Sequence, residues 1–421
     1  MKITIQKLLK IYFPKVTGSL LIKCNSPFWI VLSRIGWCSS EMNILVLGRC
    51  LPNGRNSFGM FEFDQALALA EAGHNVVYGY SDNRSIKVNR TIAFKEEVVD
   101  GLQTCGEIIP VGGLPFKIVS WFKTRGLKKV LTRLSEEDFV PDVVYAHFPL
   151  LTLTSDILIS FREMDLPLVC MEHWTRVENK SLPTARVNLL NEVVAAASCF
   201  CSVSKDLQDS VEWYCQDVGE KRLRVIPDMV NEKIFYPKLN QKAQNDHVTF
   251  VAAGRLVACK RFDFLLEAFA KADLPTARLL IAGAGDQKGS LTRLATKLGI
   301  EKSVVFLGWL SSEDLAEVMR NATCFVTASD LETFCLPIAE AWMCGLPCIA
   351  PDISALRDYF EPWNGSSFDS TSKESLAYAM KEIASSDDQF VKNTIASWSA
   401  ELFSRRAVVS QLEDAFTSAI I

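Results

Sequence analysis

Two series of short apolar segments, each alternating with helical patterns, constrain the fold of this chain most strongly. The first series begins at Met42 with MNILVLGRC and continues through NVVYGY, PDVVYAHF, LPLVCMEHW, CFCSVS and RLRVIP. The second begins at Val248 with VTFVAAG and continues through ARLLIAGAG, SVVFLG, TCFVTAS and PCIA. Continuous apolar runs of this length are typical of parallel strands buried on both faces. Their alternation with helices predicts a doubly wound α/β sheet for each series.

A polar stretch without periodicity, IPDMVNEKIFYPKLNQKAQNDH, separates the two series and is predicted to be an interdomain linker. We therefore predict two Rossmann-like α/β domains, over residues 42–236 and 237–400, followed by a C-terminal helix over 401–421. A chain of 421 residues is long enough for two such domains. Open parallel sheets bind ligands at the carboxyl ends of their strands, so the cleft between the domains is the expected ligand site.

Residues 1–41 differ in charge from the rest of the chain. They hold six Lys or Arg against the single acid Glu41 and mix basic with aromatic residues. The apolar run from Pro27 to Leu32 is far shorter than the roughly 20 residues of a spanning helix, and no small-residue cleavage site follows it. Two interpretations stay open: an anchor on a membrane surface, or an extension upstream of a domain that begins at Met42.

Overall composition excludes several classes of function. Apolar residues make up 49% of the chain and charged residues 22%, which is typical of a globular protein. A net charge of -4 argues against nucleic acid as a partner. The 13 cysteines include no CxxC pair, and with only four histidines there is no zinc-ligand spacing, so we predict no metal site. So many free cysteines are typical of a reducing compartment, and we therefore expect a cytoplasmic protein.

Two glutamates, Glu332 and Glu340, lie eight residues apart in LETFCLPIAEAWMCGLPCIAPD, which is otherwise almost free of charge. Pro337 is predicted at the first position of a helix, which places Glu332 in the preceding loop and Glu340 about one turn inside. The N–H groups of residues 334–338, Pro337 excepted, would form a positive pole suited to phosphate. Carboxylates for hydroxyls beside amides for phosphate suit a sugar nucleotide. Glutamates that only face solvent would fit this stretch equally well.

The segment GRLVACK adds two cations. Arg255 directly follows a predicted strand and Lys260 precedes the next helix, so both can point into the cleft. Arginine binds phosphate oxygens in a bidentate manner and lysine acts as a compact point charge. Together they are candidate ligands of a diphosphate, although either one alone would be read as a surface charge.

In order, GRLVACKRFDFLLEAF, IAGAGD, VVFLGWL and ETFCLPIAEAWMCGLPCIA resemble the family 4 glycosyltransferases of the GT-B architecture. The resemblance covers most of the chain from Met42 and includes VIPDMVNEKIFYP at the domain junction. It implies two Rossmann-like domains that face each other across a cleft, and a final helix that returns toward the N-terminal domain. It also implies a retaining hexosyltransferase that uses a UDP- or GDP-sugar, needs no cofactor, and acts on a glycan or lipid-linked acceptor.

The resemblance also implies roles for individual residues. Arg255 and Lys260 would hold the donor diphosphate, Glu340 the ribose hydroxyls, and Glu332 the donor sugar. His173 would approach that sugar from the N-terminal domain, so we predict Glu332 and His173 as the catalytic pair. Further donor contacts are predicted from Phe334, Cys335, Leu336 and the loop of Gly59. His147 could face the acceptor or be an ordinary hydrogen-bonded residue.

Thr333 and Cys335 depart from the family pattern, which usually has glycine at both positions, and we expect them to alter the space for the donor sugar. The alternatives are a sugar-nucleotide epimerase of the same architecture and a non-catalytic scaffold of a glycan-assembly complex. A dehydrogenase is disfavoured because no GxGxxG lies between a strand and a helix. We expect a cytoplasmic protein of cell-surface polysaccharide or lipid-linked glycan synthesis, with peripheral contact to the inner face of the membrane as a further expectation.

Overall fold

The computed structural model describes residues 41–52, 60–88, 91–215, 222–238, 247–357, 359–385 and 391–420. The predictions for residues 1–40 and for Gly59 lie outside these ranges. Within them the strands form two sheets. The first sheet contains β1 (Asn43–Gly48), β2 (Asn75–Asp82), β3 (Ala93–Val99), β4 (Leu102–Ile108), β5 (Val143–His147), β6 (Leu168–Glu172), β7 (Cys199–Ser202) and β8 (Arg222–Val225). The second contains β9 (Thr249–Ala253), β10 (Arg278–Ala282), β11 (Val304–Gly308), β12 (Cys324–Val326), β13 (Cys348–Pro351) and β14 (Gly365–Phe368).

The first sheet has the strand order β3-β4-β2-β1-β5-β6-β7-β8, and all neighbours are parallel except β3 and β4. β1 lies at its centre, with Ile44 opposite Val76 on one side and Val143 on the other. These side chains are almost completely buried, which explains why the strand is an unbroken apolar run. The predicted doubly wound sheet is therefore present, and its strand order reverses beside β1.

The hairpin β3–β4 was not predicted from the sequence. β3 reads AFKEEVV, and most of its side chains are exposed at the edge of the sheet. Its turn uses Asp100 and Gly101, both with positive φ (50° and 85°), which is typical of a tight two-residue hairpin turn. Charged residues on an edge strand remove the apolar run that identifies buried strands, so the pattern gave no signal here.

The second sheet has the order β11-β10-β9-β12-β13-β14 and is parallel throughout. Of the strands in this sheet, β9 comes first in the chain, and it pairs with both β10 and β12. The direction in which successive strands are added therefore reverses between β9 and β12. In open α/β sheets this reversal leaves a crevice at the carboxyl ends of the two strands, where ligands commonly bind. The loops that follow β9 and β12 carry Arg255 and Glu332.

The helices of the described residues connect and cover these strands. In chain order they are α1 (Met60–Glu71), α2 (Phe116–Glu136), α3 (Pro149–Thr152), α4 (Ser155–Glu163), α5 (Thr175–Glu178), α6 (Thr184–Ala196), α7 (Lys205–Tyr214), α8 (Phe262–Ala272), α9 (Lys288–Lys297), α10 (Ser312–Arg320), α11 (Leu336–Met343), α12 (Ser354–Arg357), α13 (Lys373–Ser385), α14 (Lys392–Phe403) and α15 (Arg405–Ile420). No helix in the part of the chain that the structure describes is long and apolar enough to cross a membrane.

The last two helices link the two sheets. α14 packs against α11, which precedes β13 of the second sheet, whereas α15 contacts α1 and strands β5, β6 and β7 of the first. Phe416 of α15 is fully buried, with its ring 5.2 Å from that of Tyr145 on β5. His74 Nε2 lies 3.1 Å from Glu413 Oε1, which adds a polar contact at the same surface. The end of the chain therefore lies against the first sheet.

Candidate functional site

Close backbone contact shapes the floor of the crevice in the second sheet. Gly283, directly after β10, has φ 139°, and a Cβ placed there would lie 1.9 Å from the carbonyl oxygen of Gly254 after β9. A Cβ on Gly285 would lie 2.3 Å from the carbonyl oxygen of Leu256. Only glycine allows two loops to approach this closely. The glycines of IAGAGD therefore bring the loop of Arg255 into its position.

Lys260 and Glu332 form an ion pair in this crevice. The Nζ of Lys260 donates to Oε1 of Glu332, and the two side chains are only 24% and 13% exposed. Burial lowers the pKa of Lys260, but the Glu332 carboxylate more than offsets this, so the pKa lies above its ordinary value. Lys260 therefore stays cationic. The structure brings these two predicted residues into direct contact, which their spacing in the sequence did not show.

Arg255 is exposed, and its guanidinium makes no hydrogen bond or ion pair with any residue in the described ranges. The neighbouring Arg261 behaves differently, since it pairs with Asp330 at 2.8 Å and donates to the carbonyl of Ser370 at 2.8 Å. Arg261 is thereby held in the structure, while Arg255 keeps its donors for a ligand. Arginine in that state can bind an anion in a bidentate manner.

The turn before α11 presents backbone amides to the same crevice. Within the described residues, the N–H groups of Phe334, Cys335 and Leu336 have no hydrogen-bond acceptor. The prediction that the amide of Ile338 is also free is wrong, because it donates to the carbonyl of Cys335 at 3.0 Å and so closes the first turn of the helix. Pro337 is the second helical residue rather than the first. Three amides therefore remain for an anion.

Glu340 points from α11 toward the other sheet. Burial raises its pKa to about 8, and the carboxylate of Asp64 on α1 adds to the effect. Burial likewise raises the pKa of Asp64. Since α1 follows β1 and α11 precedes β13, the two carboxyl groups belong to helices of different sheets. Near neutral pH, a protonated Glu340 can both donate a hydrogen bond to a hydroxyl and accept one.

His173 and His147 lie side by side because β5 and β6 are neighbours. Nδ1 of His147 is 3.1 Å from Nε2 of His173, and the ring centres are 5.3 Å apart. Burial and the neighbouring His173 hold the pKa of the fully buried His147 well below its ordinary value, so His147 is neutral. Nδ1 of His173 lies 3.2 Å from Oδ1 of Asp228 in the linker. For His147, the structure favours the interpretation as a hydrogen-bonded residue that supports His173.

Two functional candidates on the first sheet were not predicted. Glu172, the last residue of β6, is fully buried, and its Oε1 accepts from the N–H groups of His173 and Trp174, both at 2.9 Å. Burial raises the pKa of Glu172 to about 7. Arg49, directly after β1, donates from Nε to Oε1 of the buried Glu62 at 2.6 Å. A charged residue at the end of an apolar strand, as in MEHW and LGRC, is the signal that could have identified both.

A separate groove of about 920 Å³ lies beside α2 and contains none of the predicted site residues. Its rim includes Trp121 and Arg133, and Arg133 is paired with Glu96 and Glu137 at 2.5 and 2.7 Å. Exposed charges that neutralise one another produce only a weak electrostatic field to attract an ionic substrate. The crevice of Arg255 and Lys260 is therefore the better candidate site.

Comparison with known proteins finds a family match within the second half of the chain. Residues 237–396 match the family described as glycosyl transferases group 1. The chain is 29% identical over 170 residues to an uncharacterized glycosyltransferase of Methanocaldococcus jannaschii, a match that covers 37% of this chain and 43% of the relative. It is 35% identical over 151 residues to D-inositol 3-phosphate glycosyltransferase of Mycolicibacterium smegmatis, covering 33% of this chain and 34% of the relative. The chain thus spans less than half the length of these two curated relatives.

Solved structures resemble nearly the whole chain. Sucrose-phosphate synthase from Thermosynechococcus elongatus has a TM-score of 0.70 at 19% identity, covering 89% of this chain and 98% of that one. HepE of Anabaena, solved with UDP and glucose, has a TM-score of 0.67 at 17% identity, covering 90% and 100%. At these identities the likeness establishes the fold, two facing Rossmann-like domains. Residues 237–396 thus match the glycosyl transferases group 1 family, and the chain that carries them has the GT-B fold.

Proposed function

We propose that this protein is a retaining glycosyltransferase of family 4, which moves a sugar from a nucleotide-diphosphate donor to an acceptor hydroxyl. The observation that carries the proposal is the combination at the β9–β12 crevice. The guanidinium of Arg255, which has no partner among the described residues, the cationic Lys260 and the free amides of residues 334–336 all lie in the segments that follow β9 and β12. Such a set stabilises the negative charge that develops when the diphosphate leaves.

The chemistry follows from how each group is held. As the diphosphate leaves, positive charge grows on the sugar ring, and Glu332 can orient the sugar hydroxyls and stabilise that charge. Because Glu332 is bound to Lys260, it is a poor nucleophile, so we assign no covalent glycosyl intermediate. The acceptor hydroxyl then attacks from the face that the diphosphate leaves. His173, supported by neutral His147, approaches the donor sugar from the first sheet.

Glu340 completes the donor site, with its carboxyl group as the ligand of the ribose hydroxyls. Thr333 and Cys335 border the space for the donor sugar and are expected to influence which sugar fits. UDP is supported as the nucleotide by the likeness to HepE, which was solved with UDP and glucose, and GDP is the alternative. We propose a glycan or lipid-linked acceptor in the synthesis of a polysaccharide, and peripheral contact of the protein with the membrane.

The test separates donor binding from transfer. We expect Arg255→Ala to weaken UDP or GDP binding by about tenfold or more, because a charge-assisted hydrogen bond contributes about 1.5–3 kcal/mol. Glu332→Gln should bind the nucleotide but transfer sugar poorly. Calorimetry measures the first effect, and product formation from UDP- and GDP-sugars measures the second.

Arg278→Ala is the matched control, because Arg278 is an exposed arginine of the same sheet and is not at the crevice. Equal nucleotide affinity for the Arg255 and Arg278 variants would contradict the diphosphate clamp. Unchanged turnover of Glu332→Gln would remove that residue from the catalytic pair. An isomerised donor sugar in the absence of acceptor would indicate an epimerase instead, and a chain that neither hydrolyses nor transfers any donor would indicate a scaffold.

A further inference from the structure

Three cations lie together beside His173 at the carboxyl ends of β5 and β6. Lys123 comes from α2, Arg176 from α5 and Arg186 from α6. Trp174, which directly follows His173, lies between the two guanidinium groups, at 5.8 Å from that of Arg176 and 5.9 Å from that of Arg186. Three helices that pack on the first sheet therefore bring positive charge close to Trp174, the residue after His173.

Two of these cations are enclosed. Lys123 is 7% exposed, and its Nζ donates to the carbonyl of Leu151, while Nη1 of Arg186 donates to the carbonyl of Leu150. Both carbonyls belong to the short helix α3. Within the described residues, no carboxylate lies within ion-pair distance of Lys123, Arg176 or Arg186. Lys123 and Arg186 are thus hydrogen-bonded to uncharged backbone oxygen atoms.

The positive charges of this cluster repel one another, and Glu172 offsets only part of the cost. Burial, and then the charge of Arg186, lower the pKa of Lys123 to about 7. Burial also lowers the pKa of Arg186, and Arg176 adds to this, against a partial offset from Glu172. Glu172 itself has a pKa of about 7 and is bound to two amides. With a pKa of about 7, Lys123 is only partly charged near neutral pH, and a bound anion would favour its charged form.

An aromatic surface accompanies the charge. The guanidinium of Arg186 lies 4.5 Å from the centre of the Phe116 ring, and Phe116 is 37% exposed at the start of α2. Trp174 is partly exposed, and its ring lies 5.9 Å from the same guanidinium. Arginine held flat against aromatic rings keeps its N–H edges for a planar or tetrahedral anion. The cluster is thus arranged for a ligand that combines an anionic group with a carbon skeleton.

We propose that Arg176, Arg186 and Lys123 bind a phosphate group of the acceptor, so that the acceptor is a phosphate-bearing molecule whose hydroxyl is presented beside His173. This inference rests on the proposed glycosyltransferase function and names the chemical class of its acceptor. A free phosphate ester and a phospholipid headgroup share this chemistry. The charge of the acceptor would then select it before any sugar contact is made.

The first experiment measures binding of inorganic phosphate to the full chain by equilibrium dialysis with radiolabelled phosphate at low ionic strength. Phosphate should bind at both the donor crevice and the acceptor cluster. Arg255→Gln removes the first, and in that background Arg186→Gln should weaken the remaining site by at least about tenfold. Glutamine keeps a donor for the carbonyl of Leu150 but loses the charge. Arg176→Gln should weaken the site in the same direction, and Arg278→Gln should leave it unchanged.

The outcomes distinguish this inference from the proposed function. Equal phosphate binding by the Arg255→Gln protein and the Arg255→Gln, Arg186→Gln protein overturns the acceptor site. If Arg186→Gln weakens phosphate binding but Arg255→Gln does not, the result supports the acceptor site and contradicts the donor clamp. If Arg186→Gln lowers the unfolding temperature so far that the protein does not fold, the exposed Arg176 decides the question, and unchanged binding by Arg176→Gln overturns the proposal.

The second experiment identifies the source of the phosphate. Vesicles of phosphatidylcholine, with and without phosphatidylglycerol, are sedimented with the same proteins. Sedimentation that requires both phosphatidylglycerol and Arg186 supports a lipid-borne phosphate. Phosphate binding that requires Arg186, without sedimentation on either vesicle, supports a soluble phosphate ester. Binding of wild type to neither phosphate nor vesicles overturns the proposal.

Discussion

Cys335 occupies a backbone conformation that ordinarily belongs to glycine. Its φ and ψ are 65° and 64°, and it caps α11 within the donor crevice. For a residue with a Cβ, this left-handed conformation costs about 1–2 kcal/mol. The family 4 glycosyltransferases that the sequence resembles usually have glycine at this position, and the cysteine predicts an altered space for the donor sugar. The structure adds a local energetic cost at the same residue.

We expect Cys335→Gly to be more stable than Cys335→Ala by about 1 kcal/mol, although glycine is ordinarily the less stable choice. Both variants lose the sulfur atom, which is buried, and differ only in the Cβ that strains the turn. Urea unfolding of the two proteins measures the difference. A more stable Cys335→Ala would show that residue 335 does not hold a left-handed conformation.

At this scale, the candidate site residues could be selected from the sequence, but the contacts between their side chains could not be predicted. Arg255, Lys260, Glu332 and Glu340 were selected because charged residues follow apolar strands or interrupt an apolar segment. That Lys260 binds Glu332 depends on loops 72 residues apart in the chain that meet in space. Glu172 also ends an apolar strand, but its bonds to the amides of His173 and Trp174 appear only in the structure.

A chain of aromatic rings connects the element α15 to the histidines of the site. Phe416 contacts Tyr145 at 5.2 Å, Tyr145 contacts His147 at 4.5 Å, and His147 contacts His173. The hydroxyl of Tyr145 also donates to Gln65 of α1 at 2.6 Å. The C-terminal helix therefore supports the back of the site as well as the core of the first sheet.

Removing the ring of Phe416 should destabilise the protein by about 3–5 kcal/mol, because the side chain is fully buried and leaves a cavity. We also expect Phe416→Ala to transfer sugar more slowly than wild type at a temperature where it remains folded, because Tyr145 and His147 lose their support. Denaturant unfolding and initial transfer rates measure the two effects.

Thr417→Ala is the control for α15, since the adjacent Thr417 is exposed. It should change the free energy of unfolding by less than about 0.5 kcal/mol. A Phe416→Ala protein as stable as this control would show that α15 does not pack on the first sheet.

At the scale of the whole molecule, contacts between distant segments join the two sheets. Arg405, at the start of α15, pairs with Glu71 of α1 at 3.3 Å, and its backbone N–H donates to Glu232 of the linker at 3.0 Å. The backbone N–H of Val230 in the linker donates to the carbonyl of Phe403 at 2.7 Å. Alternating strands and helices predicted the two sheets and their order of appearance. They could not predict these contacts, because each joins residues more than 170 positions apart, which no local period relates.

The buried carboxyl group of Glu340, which Asp64 influences from a helix of the other sheet, makes stability depend on pH. Burial and Asp64 raise the pKa of Glu340 from 4.5 to about 8. Between these values the native protein retains a proton that the unfolded chain has released, so this group's contribution to stability decreases as pH rises from about 4.5 to 8. Glu340→Gln cannot titrate and lacks this contribution. We therefore expect the free energy of unfolding of wild type, relative to Glu340→Gln, to fall across that interval.

Urea unfolding of both proteins at a series of pH values measures this difference, and taking the difference cancels the titration of all other groups. Asp64→Asn provides a second test, because it removes the like charge but leaves the burial of Glu340. For this test, the free energy of unfolding of Asp64→Asn is compared with that of the double variant Asp64→Asn, Glu340→Gln. We expect this difference to stop decreasing at a lower pH than the difference between wild type and Glu340→Gln. Parallel pH profiles for wild type and Glu340→Gln would show that Glu340 is ionised in the native protein and that the two carboxyl groups do not approach each other across the cleft.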